Sequence, residues 1–163
     1  MLDRHFALRD RTKRFALRVI KLCESLPKTD AGRTISRQLL RSGTSVAANY
    51  RAVGRASSQA EFVAKVGVVI EEADESVFWL ELLAEAGIIP EHRLGELNVE
   101  ANELVAIFVA SQQTARRTSI KGSRKVFAPP IARSPDWWFA RSPDHRVTCL
   151  KEKGHASGDF RSH

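Results

Sequence analysis

An all-α fold, an antiparallel up-down-up-down four-helix bundle, follows from three features of the chain. Apolar residues recur at helical spacing through four segments between position 3 and about 118. No stretch there alternates with the two-residue period of a half-buried strand. The breaks between segments are short, and short connections between long helices make sequence neighbours run antiparallel. With 163 residues, 43% of them hydrophobic, the chain can build one main core rather than two.

The first helix carries Leu8, Phe15, Val19, Leu22 and Leu26 on one stripe and Arg11, Arg14, Arg18 and Lys21 on a second beside it. Pro27 closes it. Thr29 or Asp30 caps the second helix, whose apolar side is Ile35, Leu39, Val46, Tyr50 and Val53 and whose end falls near Gly54. Small residues from 42 to 48 let another helix approach. Gly43 among them costs about 1 kcal/mol of helix propensity against Ala, which predicts close packing or a slight break. The third helix opens with a capping box, Ser58 and Glu61, and continues through Phe62, Val66, Val69, Ala73, Val77, Leu80 and Ala84. Gly87 ends it where a left-handed cap is favoured. Pro90 suits the first turn of the fourth helix, in which Leu94, Leu97, Ala101, Leu104 and Phe108 form a bundle seam.

Charge is the most specific feature of the second helix. Arg33, Arg37, Arg41, Arg51 and Arg55 fall within about 80° of one another on a wheel of about 100° per residue, nearly opposite the apolar side. Aligned guanidiniums present forked donors that match phosphate geometry, so this row is a candidate nucleic-acid-binding face, extended by Arg11, Arg14, Arg18 and Lys21. A solvated face that holds carboxylates of neighbouring helices is the plainer reading. The net charge of +7 is unevenly spread: positions 1–70 carry 14 basic and 5 acidic residues, 71–118 carry 3 and 10, and 119–163 carry 9 and 4. Opposite charge in consecutive blocks predicts that they complement each other within or between subunits.

The third helix has more apolar surface than one core needs. Phe78 with Leu82, and Trp79 with Leu83, stand off the core stripe and are assigned to an oligomer interface.

Catalytic chemistry has little to work with. His5 and His92 are isolated on helical segments, and Glu71, Glu72, Asp74 and Glu75 lack the Glu-x-x-His partners of di-metal bundles. There is no phosphate-cradling glycine loop, dinucleotide fingerprint or GxSxG elbow. No enzyme activity, metal or cofactor is expected. Cys23 and Cys149 show no redox or metal-ligand spacing and read as reduced thiols. The basic start carries Asp3 and Asp10 and has no uninterrupted apolar core of a signal peptide, and no segment is long enough to span a membrane. The expectation is a soluble cytoplasmic protein.

From 119 to 163 the chain becomes basic and proline-containing, with Pro129, Pro130, Pro135 and Pro143, and reads as a disordered C-terminal tail after a bundle at 1–118. It holds a short duplication, ARSPDWWF then ARSPDHRV, too few copies for a repeat fold. Trp137, Trp138 and Phe139 among basic residues could stack on bases, although a weakly constrained extension explains the composition as well.

Arg41 and Ser42, with Val46 and Asn49 and followed by a Gly-Arg turn and by Glu61 and Phe62, lie in a segment that resembles the R-x-x-x-S-(I/V)-x-x-N pattern of small four-helix-bundle proteins first associated with intervening sequences in bacterial 23S rRNA genes. The resemblance spans roughly positions 6 to 117. Where many members read N-I-A-E-G, this chain has Asn49, Tyr50, Arg51, Ala52 and Val53, so it lacks their acidic residue and glycine. The resemblance implies a homopentameric barrel of four-helix subunits. It also implies kinship with the accessory protein of diversity-generating retroelements, which works with a reverse transcriptase and structured RNA.

Two functions are thus expected of the chain. One is a non-enzymatic homo-oligomer that binds structured RNA or duplex DNA through its arginine face. The other is a scaffold or adaptor for a partner protein, such as a reverse transcriptase, in which the arginines form inter-subunit ion pairs and no nucleic acid is bound.

Overall fold

The computed structural model describes residues 2–120, and the side chains from 5 to 117. Four helices fill this range: α1 (Leu2–Ser25), α2 (Asp30–Val53), α3 (Gln59–Glu85) and α4 (Glu91–Ile120). The described residues contain no strand. The expected tail, its duplication and Trp137, Trp138 and Phe139 lie outside the described residues.

The helix ends follow from local chemistry. Thr29 is extended, and its hydroxyl accepts the Gly32 N–H at 3.1 Å, which starts α2. Ser58 does the same for α3 by accepting from Glu61 N–H. The returning arm of that capping box is displaced by one residue: Glu61 accepts from the backbone N–H and hydroxyl of Ser57 at 2.7 and 2.6 Å. At the far end of α3, Gly87 adopts φ 64°. Its N–H donates to Ala84 and that of Ile88 to Leu83, the paired bonds of a Schellman motif. Gly54 ends α2 with an ordinary right-handed φ of −64°. Its lack of a side chain serves packing instead, because a Cβ there would lie 2.6 Å from the His5 ring.

Each helix packs chiefly on its sequence neighbours, and α1 also meets α4 across a thinner seam. Contacts between α1 and α2 join Cys23 to Ser36, Val19 to Gly43 and His5 to Tyr50. Between α2 and α3 they join Arg41 to Glu75, Ser42 to Ser76 and the Ala52 carbonyl to Lys65. Gln112 bonds Val63, and Gln59 bonds the Ala115 carbonyl, between α3 and α4. The core contains Leu8, Phe15, Leu39, Tyr50, Phe62, Leu80, Leu104 and Phe108, all essentially inaccessible. Burying such a side chain contributes about 1.5–3 kcal/mol relative to leaving it exposed.

The apolar surplus of α3 is smaller than expected. Leu83 is fully buried, not an interface residue, because it lies one helical step from Leu80 and its carbonyl receives Ile88 and Ile89 from the following turn. Trp79 and Leu82 are half-buried against the core. Phe78, 52% exposed, is the member of the set that faces solvent. α2 runs without a break through Gly43, whose Cβ position is 2.8 Å from a Val19 methyl. That glycine marks close packing.

Candidate nucleic-acid interface

The nine basic residues of the expected face separate by what holds them. Arg37, Arg51, Arg55 and Lys21 are exposed and form no ion pair among the described residues. Arg33 and Arg14 are exposed but paired locally, with Asp30 at 2.6 Å and Asp10 at 2.9 Å. Such solvent-facing pairs are typically worth under about 1 kcal/mol, so an incoming phosphate competes with them easily. Arg18, Arg41 and Arg11 reach carboxylates on other helices.

Two of these positions differ from expectation. Arg11 is 5% exposed and belongs to the α1–α4 seam, not to an outer face. Its Nε and Nη2 donate to both carboxylate oxygens of Glu100 at 2.6 and 2.8 Å, and Nη2 also donates to Glu103 at 2.5 Å. Burial alone would lower its pKa, but the hydrogen bonds and charge of Glu100 and Glu103 outweigh that and raise it. Arg55 stands beyond the end of α2, in the turn after Gly54, where its N–H donates to the Ala52 carbonyl at 3.1 Å. It remains exposed, but the helical wheel no longer fixes its direction.

Arg41 is the most engaged member of the α2 row. Nη2 donates to both oxygens of Glu75 at 2.5 Å, and Nη1 lies 3.4 Å from Glu72. Hydrogen bonding to Arg41 pulls the Glu75 carboxyl below its ordinary range, whereas burial pushes Glu72 up. Glu75 also accepts from the Trp79 indole at 3.1 Å.

The residues in and beside that expected pattern have definite places in this fold. Arg41 clamps α3 and Val46 is core, whereas Ser42, next to Arg41 and not at the pattern's serine, which is Ser45, places its hydroxyl 3.0 Å from that of Ser76 in the buried seam. Glu61 caps α3, and hydrogen bonds from Lys65 and Ser57 hold its carboxyl down at about 2. Phe62 is fully buried. Asn49 is half-buried and makes no side-chain hydrogen bond among the described residues.

Sequence reasoning passed over Glu100 and Glu103 as the partners of Arg11. A signal existed: Arg11 lies three residues after Leu8 and four before Phe15, so it sits on the core stripe itself. Lys28 was also passed over, since a turn residue has no helical phase. His5 is half-buried and stacks on Tyr50 at 5.5 Å; burial, then the charge of Arg9, lowers its pKa. No group of three or more His, Cys, Asp or Glu among the described residues could hold a metal ion. None of the described helices is long and apolar enough to cross a membrane.

The side chains divide the bundle by charge. α1 and α2 carry eleven basic and four acidic residues, whereas α3 and α4 carry four and eleven. Fold and face together define a class: a small four-helix protein with one basic and one acidic pair of helices. The profile of the 23S rRNA-intervening sequence protein family matches residues 4–110, and the chain belongs to that family. It is similar to a crystallised protein of unknown function from the S23 ribosomal protein family of Bacteroides thetaiotaomicron, with 32% identity and a TM-score of 0.59. That match covers 63% of this chain and 94% of the other. No curated protein matches the chain.

Proposed function

We propose that the protein is a non-enzymatic, cytoplasmic homo-oligomer that binds structured RNA or duplex DNA through the outer face of α2. The observation that carries this reading is that Arg37 and Arg51 are exposed and hold no carboxylate among the described residues. They are separated by about 21 Å along one side of α2, a span that meets several phosphates of a duplex. Arg33, Arg55, Lys21 and Arg14 extend the contact. Arg41 and Arg11 are left out because α3 and α4 already hold them.

The subunit is an up-down-up-down bundle in this reading. Support comes from the inter-helix contacts, in which one end of a helix meets the opposite end of its sequence neighbour: Cys23 with Ser36, Ala52 with Lys65, and Val63 with Gln112. Phe78 and the half-buried Trp79 and Leu82 would be covered by a second copy, and a pentameric ring would repeat the basic face. Linked copies of a weak patch bind with high effective concentration.

A scaffold or adaptor for a partner protein is the second reading. It is favoured by the engagement of Arg11, Arg18 and Arg41 with acidic residues of α3 and α4, a pairing that copies could also make between themselves. Anisotropy with a labelled structured RNA and a DNA duplex across a salt series separates the two, with sedimentation run in parallel. A steep linear fall of log K with log salt and an oligomer that survives salt support nucleic-acid binding. No binding at low salt, with an oligomer that dissociates as salt rises, supports the scaffold.

A further inference from the structure

Between α1 and α2 the chain turns through Pro27, Lys28 and Thr29, and this turn bounds a cleft of about 370 Å³. That is within the size range of small-ligand sites, about 300–1,000 Å³. Cys23 and Leu26 line it from α1 and the turn, Ser36 from α2, and Lys28, Arg33 and Arg37 supply its charge. A single carboxylate, Glu24, lines it as well.

Three details shape the cleft for an anion. Gly32 has no side chain to keep the turn away; a Cβ there would lie 2.2 Å from the Pro27 carbonyl oxygen, so the turn closes onto the first turn of α2. Arg33 is offset by Asp30 at 2.6 Å, but Lys28 and Arg37 hold no carboxylate among the described residues. The Cys23 thiol donates to the Ser36 carbonyl at 3.5 Å, and burial pushes its pKa up, so the inner wall is neutral and does not repel a negative group.

We infer that this cleft binds a phosphate monoester, with Lys28 and Arg37 on the phosphate and Leu26 and Pro27 against its organic part. A terminal phosphate carries between one and a half and two negative charges near pH 7, roughly, which matches two uncompensated cations better than the single charge of an internal diester. Ammonium and guanidinium donors to such oxygens are charge-assisted and strong. The same chemistry is offered by the 5′ end of a nucleic-acid strand and by a free mononucleotide. For strand ends the inference rests on the proposed nucleic-acid reading, whereas for mononucleotides it does not.

The test uses the full chain and two 3′-labelled oligonucleotides of one sequence, one with a 5′-phosphate and one with a 5′-hydroxyl. Adenosine 5′-monophosphate and adenosine serve as protectants in alkylation of Cys23, read by peptide mass mapping so that Cys149 is scored separately. The 5′-phosphorylated strand should bind about tenfold tighter, Lys28→Ala should abolish that difference, and Arg51→Ala should preserve it. The monophosphate should slow Cys23 alkylation and adenosine should not. Equal binding of the two strands together with no protection overturns the inference. So does a difference that survives Lys28→Ala. Equal binding that is steeply salt-dependent, without protection, removes the cleft and leaves the α2 face standing. Protection by the monophosphate with no strand bound does the reverse and assigns the cleft to mononucleotides.

Discussion

The Arg41 guanidinium lies 2.5 Å from both carboxylate oxygens of Glu75, across the seam between α2 and α3. A row of arginines that looks uniform on a helical wheel is thereby divided into a member that ties α2 to α3 and members that remain available. Ser42 and Ser76 meet one step away in the same seam, so this side of α2 faces another helix of the same chain.

Arg41→Ala should therefore act on stability. Its side chain is 52% exposed, so solvent screens the pair and its contribution is small. Urea unfolding should show a small shift of midpoint with unchanged slope. A drop in midpoint as large as that of Arg11→Ala would mean that the pair behaves as a buried one.

Arg11→Ala should cost more, about 2–4 kcal/mol, because Glu100, with a side chain only 20% exposed, is left without its bidentate partner. Adding Glu100→Gln should recover part of that loss. The comparison of single and double variants by chemical denaturation checks it; equal losses in both would place the cost in lost packing of the arginine stem.

Gly43→Ala should destabilise by about 1–3 kcal/mol, although alanine gains about 1 kcal/mol of helix propensity. The new methyl would meet two Val19 methyls at 2.8 and 2.9 Å. Gly54→Ala should cost less, since its neighbour is the His5 ring on a side chain that can rotate. Thermal midpoints in the reverse order would contradict this account of the α1–α2 seam.

Acid should loosen the start of α3 first. Glu61 is held at about 2 by Lys65 and Ser57, below its ordinary 4.5, and Arg41 lowers Glu75 as well. A carboxylate with a lowered folded pKa contributes stability that is present above its unfolded value and lost as pH falls through the folded one. Glu72, raised by burial, works in the opposite direction. Between pH 4.5 and about 2, the protection of amides in the first turn of α3, relative to the intrinsic exchange rate at each pH, should fall in the native chain. In Glu61→Gln that fall in protection should be absent. Identical profiles for the two would remove Glu61 from the cap.

The fold was legible because burial imposes a period. Leu94, Leu97, Ala101, Leu104 and Phe108 are all buried, and Gly87 takes the positive φ its position favours. The site was legible only in part. A wheel shows that Arg33, Arg37, Arg41 and Arg51 share a side of α2, but inter-helix register decides that Arg41 reaches Glu75 while Arg37 does not reach a carboxylate. Arg11 and Leu83 were misplaced for a simpler reason: each lies one helical step from a core residue, Leu8 and Leu80, and that proximity outweighs charge in the first case and a second apolar stripe in the other. Arg55 was placed on a helix that Gly54 had already ended.

The most direct measurement is anisotropy of one labelled structured RNA across a salt series, with the native chain, Arg37→Ala/Arg51→Ala and Arg41→Ala. Each lost phosphate contact should flatten the log K against log salt slope by about 0.9 on a duplex. The double variant should therefore lose close to two such increments per engaged subunit, while Arg41→Ala keeps the native slope. A double variant that binds with the native slope, or an Arg41→Ala that flattens it equally, would contradict the division of the row.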